Sequence, residues 1–117
     1  MKNFSLVALI TLLTGCVAGA PPLTPQQQTN LAKIQVFKVG ETPSFKFQEL
    51  SQIKAADCSG PSGTRLYGDE GKAMDVLLAK AASVDANAIV NVSCGSAPYV
   101  NNCWVAKMCK GTAVVEK

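Results

Sequence analysis

The chain has 117 residues, 11 Lys and Arg against 8 Asp and Glu, a formal net charge of +3 and no histidine. That length allows one modest domain, and a charge excess this slight, with no basic stripe, excludes a nucleic-acid binder. Without histidine the commonest general base and metal ligand is missing, which weighs against catalysis and against a zinc centre.

Lys2 supplies a positive start, and Phe4 to Leu13 form an apolar run broken by Ser5 and Thr11. The run is shorter than the roughly 20 apolar residues that a membrane-spanning helix needs, so residues 1–15 read as an export signal. Leu13-Thr14-Gly15-Cys16 follows, a leucine and two small residues before a cysteine, which is the pattern of a bacterial lipobox. It predicts cleavage before Cys16, diacylation of its thiol and acylation of the new amino terminus. Each buried methylene contributes roughly 0.8 kcal/mol, so several chains on one residue hold a protein on a membrane where one chain would not. Val17 stands where an aspartate would retain enterobacterial-type lipoproteins at the inner membrane, so the rule predicts the outer membrane. Beyond this covalent lipid no cofactor is expected.

Residues 16–30 read as the lipidated cysteine and a flexible tether, since Val17 to Asn30 hold three prolines, three glutamines and almost nothing large and apolar. At about 3.1 Å per residue the tether reaches on the order of 45 Å. The domain is expected over residues 31–117. Ile34, Val36 and Lys38 alternate with Gln35, Phe37 and Val39 as a short strand, which Gly40-Glu41-Thr42-Pro43 breaks. Phe45 to Ala56 suggest a second strand, with a kink or bulge at Glu49 to Ser51. Ser59-Gly60-Pro61-Ser62-Gly63 is a loop on its turn chemistry. Asp69 and Glu70 suit the amino end of a helix, where negative charge complements the dipole. Met74, Leu77, Leu78, Ala81 and Ala82 fall at helical spacing within it, with Lys72, Asp75, Ala79 and Lys80 elsewhere on its circumference. The helix should end near Val84, and Asp85-Ala86-Asn87 turns the chain into a strand over Ala88 to Ser93. Cys94 to Asn102 read as a loop. Cys103 to Glu116 read as a last strand or strand pair interrupted at Lys110-Gly111. The order predicts an α+β fold, a small and mostly antiparallel sheet with one main packed helix.

With Cys16 set aside as the anchor, Cys58, Cys94, Cys103 and Cys109 are an even set in an exported domain, a disulfide framework by default. The spacings among the last three do not give the paired ligand couples of a zinc site. Four cysteines allow three pairings. If Ala88 to Ser93 and Val105 to Lys107 are neighbouring strands, a Cys94–Cys109 bond needs a bent last strand or an offset register.

No enzyme is expected. Gly60-Pro61-Ser62-Gly63 lacks the Gly-Lys-Ser/Thr of a phosphate loop, and Gly71-Lys72 is followed by alanine. Ser59, Ser62 and Ser96 have no assignable base, and a C-x-x-C redox pair is absent. Asp69, Glu70, Asp75 and Asp85 are better explained as caps and solvated helix faces. Trp104, Tyr99 and Met108 flank the cysteine cluster; they are either a binding patch or, more simply, packing around a disulfide knot. Lys107 joins them as a candidate binding residue. Lys107 and Lys110 could face acidic lipid or polymer, against the plainer reading of strand-surface solvation.

From Ala56 onward the chain resembles the RcsF family of outer-membrane lipoproteins, sensors of the Rcs envelope-stress phosphorelay. The residues that carry this are Asp57-Cys58, the Gly/Ser/Pro loop and helix, Asp85-Ala86-Asn87-Ala88-Ile89-Val90, Ser93-Cys94, Cys103-Trp104-Val105-Ala106 and Cys109-Lys110-Gly111-Thr112-Ala113. The likeness covers roughly the last sixty residues, with lipobox and tether in the same order upstream. It implies a compact domain stapled by two disulfides, first to third and second to fourth, hence Cys58–Cys103 and Cys94–Cys109. Closing loops of about 46 and about 16 residues, these would contribute roughly 4 and 3 kcal/mol in the chain-entropy model. It also implies partners: outer-membrane barrels, among them BamA and porin-type proteins, and the inner-membrane regulator IgaA, with no small-molecule substrate. The tether departs from the family, being much shorter and poorer in prolines and basic residues. That limits how far the domain can reach from its lipid. The expected function is thus a sensor or adaptor in envelope-stress signalling. The alternatives are a structural envelope lipoprotein of the same fold and an inhibitor or immunity lipoprotein.

Overall fold

The computed structural model describes residues 20–58, 66–97 and 103–117. The first element, α1 (Pro25–Leu31), lies within the stretch expected to be a flexible tether. Its cause is local. Thr24 caps the helix by accepting from the Gln27 N–H, the Gln27 side chain accepts in return from the Thr24 N–H, and Pro25 supplies a fixed φ in the first turn. Seven residues are too few to hold a helix by hydrogen bonds alone, and α1 packs against the long helix α2 (Glu70–Ser83). Gln27 ties the two together, its side-chain amide donating to the Ser83 carbonyl at 3.3 Å and to the Asp85 carboxylate at 3.1 Å. Within the expected tether, the stretch from Thr24 onward is thus capped helix.

Helix α2 matches its predicted limits. Asp69 is the amino cap, accepting from the Gly71 N–H at 2.9 Å, with Glu70 in the first turn and Lys80 in the last. At the other end Asp85 takes φ 63°, the Ala86 N–H donates to the Ala81 carbonyl, and the Asp85 N–H donates to that of Ala82. This is a Schellman ending, with an aspartate where glycine is usual. Ala73, Leu77 and Ala81 form the sheet-facing stripe. Ala79, expected away from the packed face, is buried together with Ala82 outside that stripe, as a helix with two packing neighbours requires.

The strands are β1 (Gln35–Lys38), β2 (Phe47–Asp57), β3 (Leu66–Tyr67), β4 (Ala88–Ala97) and β5 (Cys103–Glu116). The main path across the sheet is β1-β4-β5-β2, and β3 pairs with the start of β5. The long strands are antiparallel, as expected, but β1 runs parallel to β4 and β3 parallel to β5, so the sheet is mixed. Two expected breaks are strand instead. Cys94 to Ala97 continue β4 opposite Cys109 to Ala106, and β5 passes through Lys110-Gly111 without interruption. A long partner ladder satisfies the backbone there and overrides the poor strand propensity of glycine.

Two bulges shape the sheet. One falls at Leu50 in β2, within the predicted Glu49 to Ser51 segment. The other is in β4: Val90 pairs with Thr112 and Ser93 with Lys110, so Asn91 and Val92 share Gly111 as their opposite number. Asn91 takes φ 55°, a conformation asparagine tolerates better than most residues. The extra residue returns Val92 to the helix-facing side beside Ile89. Gly111 is confined at this point: a Cβ there would stand 2.7 Å from Ile89 Cγ2 and 3.0 Å from the Val90 carbonyl oxygen.

Between α2 and the sheet lies the main core of Leu77, Ile89, Val92, Cys109 and Ala113, with Ala55, Ala73, Ala81 and Ala86. Burying each of the larger side chains contributes about 1.5–3 kcal/mol. The opposite face has a smaller cluster, Ala88, Val90 and Val114 with Phe37, Phe45 and Phe47 packed on it. It exists because β1 and β2 point the same way from opposite edges, so residues 39–46 must cross back over the sheet. Phe45 meets Phe37 and Phe47 edge-on at 6.1 and 6.5 Å between ring centroids. Asn87 locks this end: its N–H donates to the Val114 carbonyl, its carbonyl accepts from the Gln35 N–H and its side chain accepts from the Glu116 N–H.

Candidate functional site

The cysteines sit at the end of the sheet away from Asn87. Cys94 and Cys109 are directly opposite in the β4–β5 ladder, with Cα atoms 4.1 Å apart, and are joined by a disulfide with an S–S distance of 2.11 Å. The offset register expected for this bond is supplied by the β4 bulge, which shifts the β4–β5 pairing by one residue and sets Cys94 opposite Cys109, on a β4 that runs on to Ala97. Cys109 is fully buried against the helix-facing core and Cys94 is half-buried beside it. Cys58, directly after β2, is also disulfide-bonded, and the side chain it joins lies outside the described residues. β3 leads into Gly68, where any Cβ would collide with the Lys107 nitrogen and the Asp57 carbonyl oxygen. The chain therefore passes tightly over the ends of β2 and β5. Asp57 then receives the Asp69 N–H at 2.9 Å, which links this corner to the start of α2.

Strand alternation sorts the expected binding residues. Lys107 is on the helix-facing side with Cys109, half-buried, and its ammonium donates to Ser96 Oγ at 3.0 Å. Met108 and Lys110 point to the other face, so Lys107 and Lys110 do not form one basic patch. Tyr99 and Cys16 lie outside the described residues, as does the Trp104 side chain.

On that other face, beyond the phenylalanines, no described element covers the sheet. The rows there are Gln52 opposite Thr112 and Lys54 opposite Lys110, with Thr112 and Lys110 flanked in turn by Val90 and Ser93 of β4. A shallow depression of about 490 Å³ lies over these rows, lined by Gln52, Lys54, Asn91, Lys110 and Thr112 together with Ile53 and Gly111. Sequence reasoning passed over Lys54, Gln52, Asn91 and Thr112. Gln52 and Lys54 lie within the strand expected over Phe45 to Ala56, but only the β2–β5 register brings Lys54 against Lys110. Among the described residues no group of three or more His, Cys, Asp or Glu side chains is placed to hold a metal ion, and no helix is long and apolar enough to cross a membrane. No protein-family model matches the chain, and no curated protein matches it.

Proposed function

We propose that this chain is an outer-membrane lipoprotein, anchored through Cys16, whose domain acts by protein contacts as a sensor or adaptor in envelope-stress signalling of the RcsF type. The observation that carries the reading is the Cys94–Cys109 bond, which joins the second and fourth domain cysteines, the pairing the resemblance implies. The companion bond, Cys58–Cys103, belongs to the same proposal. Cys58 is disulfide-bonded just past Asp57, the partner of Lys107, and Cys103 opens β5 four residues before that lysine. About eight residues separate Cys16 from the capped helix α1, and even a fully extended chain of that length reaches only on the order of 26 Å. A partner at the same membrane, such as BamA or a porin-type barrel, fits that reach better than IgaA across the periplasm. The same short reach favours a second reading, a structural envelope lipoprotein of this fold.

Two measurements test the proposal. Intact mass and peptide mapping of membrane-purified protein under thiol-blocking conditions should give triacylated Cys16 with Cys58–Cys103 and Cys94–Cys109 bridges; an unlipidated chain or free thiols at those positions would overturn the anchor and the fold family together. Deleting the gene should abolish induction of a phosphorelay reporter by envelope damage, with a Cys16→Ser chain failing to restore it. Normal induction in the deletion, alongside weakened envelope integrity, would replace the sensor by the structural role.

A further inference from the structure

The open half of the sheet carries two ammonium groups where antiparallel pairing normally sets opposite charges. Lys54 and Lys110 are direct cross-strand partners, and both are exposed. Like charges in this position destabilise a sheet. No described side chain relieves them. Neither ammonium has an ion pair or hydrogen bond among the described residues, and Asp57, the nearest acid along β2, projects to the opposite face toward Asp69. On the open face Glu49 is the next carboxylate, five residues back along β2 beyond the bulge at Leu50. Around the two lysines the depression offers the neutral hydrogen-bonding groups of Gln52, Thr112 and Asn91. Asn91 is present because the β4 bulge holds it at positive φ.

We propose that this depression binds a phosphate group, with Lys54 and Lys110 on either side of its oxygens and Gln52, Thr112 and Asn91 contacting the polar moiety that carries it. Two facing cations are matched in charge by a phosphate monoester dianion; a monoanionic diester, like a carboxylate, offsets only one of them and should bind more weakly. Lysine acts as a point-charge phosphate ligand, and charge-assisted hydrogen bonds of this kind are about twice as strong as neutral ones. A volume of about 490 Å³ is more than inorganic phosphate fills, which suits a sugar phosphate or a glycerophosphate headgroup. This site is independent of the signalling reading, which rests on the cysteines.

The test uses the full isotope-labelled chain in neutral detergent micelles, titrated with glycerol 3-phosphate and, separately, with phosphatidylglycerol doped into the micelles. Amide shifts should appear at Gln52, Lys54, Lys110 and Thr112, and Lys54→Gln/Lys110→Gln should bind about tenfold more weakly. Shifts with the soluble phosphate assign a diffusible ligand, and shifts with the doped micelles alone assign a lipid headgroup; either supports the site. A second variant guards against simple unfolding: Lys54→Glu should lose binding while melting higher than the wild type, because it places an opposite charge against Lys110. No shifts with either probe, shifts confined to other lysines, or unchanged affinity in the double variant would overturn the proposal.

Discussion

Replacing Cys94 and Cys109 together separates what the disulfide contributes from what its atoms contribute by packing. The bond closes a loop with a sequence separation of 15, for which the chain-entropy model gives about 3 kcal/mol at 25 °C. Because Cys109 is wholly buried in the helix-facing core, cutting both residues to alanine also opens space there, adding about 1 kcal/mol. Valine approximates the volume of cysteine without the cross-link. Cys94→Val/Cys109→Val should therefore lose about 3 kcal/mol, and the alanine pair about 4 kcal/mol. A domain of this size has some 5–15 kcal/mol of stability in all, so either loss is large but need not prevent folding. At a urea m-value of about 1.5 kcal/mol/M the valine pair should unfold at about 2 M less urea. The assay is urea unfolding followed by far-UV circular dichroism, with oxidised wild type, reduced wild type and both variants compared at equal m. A valine pair that unfolds at the wild-type midpoint would refute the entropic account. An alanine pair no weaker than the valine pair would refute the packing term.

Gly111→Ala and Gly68→Ala should both destabilise, with Gly68 the more sensitive site. At Gly111 two of the three groups in the way are methyls of Ile89 and Val92, which can shift, so about 1–3 kcal/mol is expected. At Gly68 the obstacles are backbone atoms of β5 and β2, which cannot, so the loss should exceed about 3 kcal/mol; equal urea midpoints for the two variants would contradict this ordering. Asn87→Ala removes the acceptor for the Glu116 N–H and should cost about 1 kcal/mol, seen as a lower melting temperature. Asn87→Asp keeps the acceptor oxygen and should recover most of that loss.

Much of the local structure was readable from the residues alone, because its causes lie within a few positions of each other. Asp69 and Glu70 open α2, Asp85-Ala86-Asn87 end it, and the bulge in β2 falls where the pattern faltered between Glu49 and Ser51. Thr24-Pro25-Gln26-Gln27 was equally local, a capping box hidden by the composition of a linker; its proline and glutamines suggested disorder while their order specified a helix start. Even cysteine usage pointed to cross-links, though not to their pairing. What lay beyond sequence was everything that depends on which strand lies beside which. Cys94 to Ala97 look like a loop until β5 supplies partners for their backbone, and Gly111 looks like a break until the β4 bulge leaves room for no side chain. Lys107 and Lys110 look like neighbours along the chain, yet the pleat sends them to opposite faces and the register sets Lys54 against Lys110 instead. Caps, turns and helix stripes are decided by short-range hydrogen bonds and periodicity. Pairing register, and with it the chemistry of a sheet face, is decided by contacts between residues as far apart in the chain as Phe47 and Glu116, and only the folded chain brings those together.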